Sequence, residues 1–396
     1  MAGKPHPLAS RMSGIEPFHV MRLLARAKSL EAQGRSVVHM EIGEPDFPTP
    51  RPICEAGIRA LEQGDLFYTP ALGLPELREA IAGYYRTRYG VEISPQRIAV
   101  TTGSSGALLL AMALLVDPGA QVLVTDPGYP ANRHFVRLLN GEAVNVPVGA
   151  DSNYQMTPEL LAHYWGERTV AALVASPSNP TGTLIPHGQL GEMAAYTAVH
   201  GGALIVDEIY HGLVYEGETK TALALDSEVF VVNSFSKYFN MTGWRLGWMV
   251  VPEPYMADLD KLAQNVYLSA PAPAQRAALA AFEPGTLAIL DARREEFRAR
   301  RDYLVPALRK LGFDVPQAPQ GAFYIYAGCS RLAHDSFAFA FELLEAAGVA
   351  ITPGIDFGTH GAAGHVRFAY TSSLERLQEG VARMERFIAG NSARKP

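Results

Sequence analysis

Cysteine is almost missing from this 396-residue chain, which holds only Cys54 and Cys329. Two such thiols make no disulfide framework and have no metal-ligand spacing, so a stapled secreted scaffold is excluded and a reducing cytoplasm is the expected compartment. No run of about 18 apolar residues occurs, so no membrane-spanning helix is expected. The first twenty residues, MAGKPHPLASRMSGIEPFHV, hold no apolar run of signal-peptide length. An excess of positive charge is also lacking. The formal net charge is −6, which offers no counterion-releasing surface for nucleic acid. The motifs G-x-G-x-x-G, G-x-x-x-x-G-K-[ST] and H-E-x-x-H are absent, which argues against dinucleotide, nucleoside-triphosphate and zinc-protease sites. The 11 histidines, His134 and His211 among them, show no metal spacing and read as surface or core residues, so no metal is expected.

What is present is the profile of a globular protein, 48% hydrophobic and 19% charged, of a length that favours one large and one smaller domain. From residue 97 short β-rich runs alternate with amphipathic stretches: RIAV, QVLVT, VNVPV, AALVA, ALIVD, VFVVN and LGWMVV. Near-continuous apolar strands separated by helices indicate an α/β fold with a mainly parallel sheet covered on both faces. In such a sheet the loops at the strand C-terminal ends carry the chemistry. After Pro271 the pattern changes to helix, a Glu283-Pro284-Gly285 break and a long helix. A smaller α+β unit follows, with FYIY, a helix at 336–347, HVRFAY and a terminal helix. A helix near 17–33 occupies the N-terminal segment, where Arg22, Arg26 and Lys28 read as a solvated face.

Three fragments carry candidate chemistry. In VVNSFSKYFNMTGWRLGW (231–248) an apolar strand ends in a hydroxyl-rich loop with Lys237, and Arg245 follows eight residues later. A lysine beside a buried strand end is costly unless used, and a lowered pKa is what imine chemistry requires. Ser234, Ser236 and Arg245 suit a phosphate monoester; the plainer alternative is a solvated lysine and a salt-bridged arginine. In ALIVDEIY (203–210) Asp207 ends a strand and needs a positive partner if buried. A pyridinium nitrogen would serve, with Tyr210 near the same ring; capping a following turn is the local alternative. In TTGSSGALLLA (101–111) Ser104 and Ser105 stand at a helix start that can bind phosphate through backbone N–H groups.

Taken together with IGEPDF (42–47), YTPALGLPELREAI (68–81), SPSNPTG (176–182) and VRFAYT (366–371), these fragments resemble the class I/II aminotransferases. Those are fold type I pyridoxal-phosphate enzymes related to aspartate aminotransferase. The resemblance runs from about residue 15 to the C-terminal helix. It implies a seven-stranded, mostly parallel sheet in a large domain, with LGWMVV as its one antiparallel strand, plus a smaller α+β domain. The implied boundaries are 1–49 joining the small domain, 50–285 large and 286–396 small.

The resemblance also implies pyridoxal 5′-phosphate as cofactor. Lys237 would hold it as a Schiff base and shuttle the proton, and Asp207 would face the ring nitrogen. Tyr210 and Asn179 would donate to the 3′ oxygen, while Ser104, Ser105, Ser234 and Arg245 would form the phosphate cup. Tyr129 would stack on the ring, where many relatives carry tryptophan. Arg367 and Gly43 would take the substrate α-carboxylate, with Asn179 close by. Tyr68 would reach the phosphate of a neighbouring subunit, which implies a homodimer with shared active sites. Arg133 and His134 follow Tyr129 closely but read as helix-surface residues.

The implied reaction is a two-stage transfer of an amino group from an amino acid to a 2-oxo acid, with aspartate and 2-oxoglutarate as one admissible pair. The arginine that some aspartate aminotransferases use for the second carboxylate is not apparent, since NVYLSAPAPAQ (265–275) contains no cation. A Cβ–S lyase or an aminocyclopropane-carboxylate synthase shares the cofactor residues and is the rival reading. A transcriptional regulator with an aminotransferase-like effector domain needs a DNA-binding unit ahead of it, for which some 15 residues are too few.

Overall fold

The computed structural model describes residues 8–216, 219–225 and 228–392. The part of the leader expectation that falls on residues 1–7 lies outside them. The chain opens with α1 (His19–Ala32), β1 (Val38–His39), α2 (Arg51–Gln63) and α3 (Pro75–Tyr89). Strands and helices then alternate as the sequence pattern suggests: β2 (Ile98–Thr101), α4 (Gly103–Leu115), β3 (Gln121–Asp126), α5 (Pro130–Leu138), β4 (Glu142–Pro147) and α6 (Pro158–Tyr164). Next come β5 (Thr169–Ala175), α7 (His187–Val199), β6 (Ala203–Asp207), β7 (Phe230–Ser234), β8 (Gly247–Val250), α8 (Met256–Val266) and α9 (Ala272–Ala278). The remainder holds α10 (Pro284–Lys310), β9 (Tyr324–Gly328), α11 (Ser336–Ala347), β10 (Val349–Ala350), β11 (Thr352–Pro353), β12 (His365–Ala369) and α12 (Leu374–Ser392).

The large sheet has seven strands in the order β2-β8-β7-β6-β5-β3-β4. Every pair is parallel except those of β8 with β2 and β7. Successive side chains of a strand point to opposite faces, and both faces are buried here. Val100, Leu123, Leu204, Val206 and Trp248 join one apolar cluster; Ala99, Val122, Ile205, Val232 and Met249 join the other. That double burial is why the strands read as continuous apolar runs. α4 is apolar on nearly all sides, with Leu108, Leu110, Ala111 and Met112 buried, and it packs directly against the sheet. Among the described residues no helix is long and apolar enough to cross a membrane.

The break at Glu283 is a change of helix: a short 3-10 turn (Leu279–Phe282) ends there and Pro284 starts α10 at its first position. Beyond α10, β11, β12 and β9 form a three-stranded antiparallel sheet. β1 pairs in parallel with β10, which ties the N-terminal segment to the C-terminal third.

Candidate active site

In an open α/β sheet, ligands bind beyond the carboxyl ends of the parallel strands. β2, β3, β5, β6 and β7 end on one edge, and their following loops bring Ser104, Tyr129, Asn179, Asp207 and Lys237 to it. Because β8 runs the other way, its start lies on that same edge, with Gly247 opposite both Thr101 and Ser234. Arg245, two residues earlier, thereby meets the start of α4. The approach is close: a side chain at Gly103 would come within 2.9 Å of Arg245 Nη2, and Gly103 itself has φ +74°. Arg245 also lies in the left-handed region, at φ 54°, an uncommon conformation for a residue with a side chain.

A cavity of about 460 Å³ opens at this edge, lined among others by Gly43, Ser104, Ser105, Tyr129, Asn179, Asp207, Tyr210, Lys237, Arg245 and Arg367. Ten of the twelve residues to which the resemblance gives roles therefore meet in one place. Ser234 does not line it. Its hydroxyl sits one layer back, accepting the Ser236 N–H at 3.0 Å and lying 3.0 Å from Ser236 Oγ, and it is Ser236 that faces the cavity. Tyr68 is elsewhere on the surface, 83% exposed.

The Lys237 Nζ donates to the Gly43 carbonyl at 2.6 Å. Burial lowers its pKa to about 8, with Glu44 opposing and the two arginines adding to the drop. Asp207 is 5% exposed, and one carboxylate oxygen accepts the Ile209 N–H at 3.0 Å. The local capping role is thus real but leaves the other oxygen free of a protein hydrogen bond among the described residues. Burial pushes the Asp207 carboxyl up to about 7, and the adjacent Glu208 adds to the rise.

Arg367, on β12, is 5% exposed. It donates to Asn179 Oδ1 at 3.1 Å and to the Glu41 carbonyl at 2.6 Å, and its guanidinium lies over the Tyr324 ring at 4.2 Å. Its Nε is buried without a partner among the described residues. The Tyr210 and Tyr324 hydroxyls are 2.9 Å apart.

Tyr324, Glu44, Thr242, Gly243, Leu108, Ala175 and Ile209 complete the lining and were not singled out from sequence. Tyr324 stands in an aromatic strand that reads as core, and its ring packs against Tyr210 and Phe323 as well as under Arg367. Arg133 stays outside the cavity, its Nη2 on the Asp356 carbonyl at 2.8 Å. His211 is a buried residue 3.2 Å from the Glu208 carboxylate and stacked on Tyr89. Among the described residues no cluster of three or more His, Cys, Asp or Glu side chains is arranged for a metal.

A lowered lysine, a carboxylate without a counter-ion and two separated arginines suit a phosphate-bearing aldehyde and a carboxylic substrate. Fold and site together define a transferase of the α/β, fold type I kind. The family model "Aminotransferase class I and II" matches residues 35–384. The chain is 39% identical to a valine–pyruvate aminotransferase of Mycobacterium tuberculosis, over 94% of this chain and 96% of that one. It is 36% identical to an aspartate/prephenate aminotransferase of Thermus thermophilus, over 96% and 98%. A crystal structure of an aminotransferase from Mycobacterium tuberculosis superposes with a TM-score of 0.94 at 38% identity, covering 97% of this chain and all of the other. The chain belongs to the class I and II aminotransferases, whose members depend on pyridoxal phosphate, and it is a transaminase.

Proposed function

We propose that this chain binds pyridoxal 5′-phosphate in the cavity and moves the amino group of an amino acid to a 2-oxo acid in two stages at one site. The observation that carries the reading is the convergence of Lys237, Asp207, Arg245 and Arg367 on one cavity, none of them in an ion pair among the described residues. For the buried Asp207 and Arg367 such charges are costly unless a ligand completes them, and the orphaned Arg367 Nε fits that view. When bound, the cofactor supplies an electron sink for the substrate Cα.

The residues supply everything else. Arg245, Ser104, Ser105, Ser236 and the first N–H groups of α4 provide donors for the phosphate. Asp207 offers a buried carboxylate to a ring cation, and Tyr210 and Tyr129 flank the ring. A pKa of about 8 leaves a useful share of Lys237 as neutral amine at mildly alkaline pH. The Gly43 carbonyl at 2.6 Å gives that amine a resting acceptor, from which it can take and return a proton at Cα. Arg367 grips the α-carboxylate and so orients the Cα–H bond.

Three consecutive exposed apolar residues, Leu66, Phe67 and Tyr68, support a homodimer in which Tyr68 serves the neighbouring site. Grouping residues 1–49 with 286–396 as a small domain against 50–285 is supported by the β1–β10 pairing. The relatives' names admit valine with pyruvate and aspartate with a 2-oxo acid as substrate pairs. The test is direct. Borohydride should fix the cofactor covalently to the wild-type protein and not to Lys237→Ala; a fixed cofactor on that variant refutes the assignment.

A further inference from the structure

We infer that the site selects amino acids with uncharged side chains, and with them a 2-oxo monocarboxylic acid as acceptor, over aspartate, glutamate and their 2-oxo acids. The inference rests on the cofactor and substrate assignments proposed above and concerns what is left once they are made.

The described residues lining the cavity include three cations, Lys237, Arg245 and Arg367. Each is matched to one group: the aldehyde carbon, the phosphate and the α-carboxylate. Of the two lining acids, Asp207 faces the ring and Glu44 stands at the rim, its carboxylate accepting the Thr242 hydroxyl at 2.5 Å. The remaining wall is neutral, made by Leu108, Ile209, Tyr324 and the Thr242 hydroxyl. A second substrate carboxylate would enter this wall with no cation to meet it and one acid nearby. Desolvating an unpaired carboxylate is among the costlier events a site can impose.

The segment that the dimer reading brings to another copy's cavity, 64–69 around Tyr68, contains neither lysine nor arginine. Arg276 is held by Asp65, within that segment, at 2.7 Å and by Glu76 at 3.5 Å. Arg133, on the nearby α5, is outside the lining and tied to the Asp356 carbonyl. Both halves of a two-stage transfer use one cavity, so the acceptor meets the same wall as the donor.

The test uses the pyridoxal-phosphate-loaded enzyme in two arms. In the first, single-turnover absorbance changes are followed with alanine, valine, aspartate and glutamate as donors, and then with pyruvate and 2-oxoglutarate as acceptors. In the second, 3-methylbutanoate and succinate, neither of which has an amino group to transfer, are titrated against the bound cofactor's spectrum. The expected result is at least a tenfold advantage in kcat/KM for alanine or valine and for pyruvate, and at least tenfold tighter binding of 3-methylbutanoate. Aspartate or glutamate reacting as well as alanine and valine, or succinate binding the tighter, overturns the inference. Absence of transfer from every donor would count against the aminotransferase reading instead, while the binding arm still ranks the two carboxylates.

Discussion

Replacing Asp207 by Asn separates what this carboxylate costs the fold from what it does for the cofactor. In the cofactor-free protein burial holds the Asp207 carboxyl at about 7, well above the ordinary carboxylate range near 4. Between those two values the folded chain keeps a proton that the unfolded chain has released, so stability falls as pH rises through the window and levels off above it. A displacement of about three in pKa corresponds to at most about 4 kcal/mol. Asn carries no titrating proton, and its Oδ1 can still accept the Ile209 N–H. The stability advantage of Asp207→Asn over wild type should therefore grow between pH 4 and 7, by up to about 4 kcal/mol, and stay flat to about 8. Lys237, whose lowered pKa acts above that range, is common to both proteins, and the Asp207 charge is the smallest of the influences on it. Urea unfolding of the two cofactor-free proteins at several pH values measures this. With pyridoxal phosphate bound the order should reverse, because the carboxylate then faces a ring cation. A stability difference that is the same at pH 5 and pH 7.5 would refute the argument that Asp207 is a buried charge awaiting a partner.

Three further outcomes are expected. Gly103→Ala should loosen cofactor binding and destabilise the fold by about 1–3 kcal/mol, because φ +74° is strained for a side chain and the new Cβ would stand 2.9 Å from Arg245 Nη2; cofactor titration and thermal unfolding check both. Arg367→Lys should weaken every amino acid and 2-oxo acid together and leave their ranking unchanged, since lysine cannot reproduce a two-pronged guanidinium pair; a loss confined to dicarboxylic substrates in steady-state assays would count against it. Mixing Lys237→Ala with Tyr68→Phe subunits should give activity above the sum of the two parents, because each hybrid dimer has one site with neither change; a fully active monomer by sedimentation would end the shared-site reading.

The parts of this molecule legible in its sequence are those where local chemistry and periodicity agree. The strands of the large sheet announce themselves because burial on both faces demands unbroken apolar runs, as in VVNS and ALIVD. The antiparallel sense of β8 could not be read from its residues, since an apolar run looks the same in either direction; it came from family resemblance alone. Ser234 and Ser236 show the limit at the site itself. Two serines in one loop are equivalent on paper, but Ser234 is the last residue of β7 while Ser236 lies in the turn beyond it, where it faces the cavity and Ser234 braces it. Tyr324 was hidden for a related reason: a ring buried among Phe323 and Tyr210 has the signature of a core residue, whatever its hydroxyl touches.

Least legible of all was the stretch from Glu41 to Thr49, which has no periodicity and yet is held at nearly every residue. The Glu41 carbonyl accepts from Arg367 and Thr352, Ile42 from Thr371, and Gly43 from Lys237. Asp46 forms a two-pronged pair with Arg300, Pro48 accepts from Arg293, and Thr49 bonds the Asn240 carbonyl and the Trp244 ring nitrogen. Most of these contacts use backbone carbonyls, which every residue type possesses, so side-chain identity says little about them. Their partners come from the lysine loop (237–244), from α10 and from the β11–β12 region, all at least 191 residues away in the chain. The arrangement has a mechanical consequence. Arg367, proposed to grip the α-carboxylate, and Lys237, proposed to handle the Cα proton, share neighbouring peptide groups, Glu41 and Gly43, as anchors. A shift of this segment therefore changes both geometries together, and the bidentate Asp46–Arg300 pair is one of the bonds that resist it.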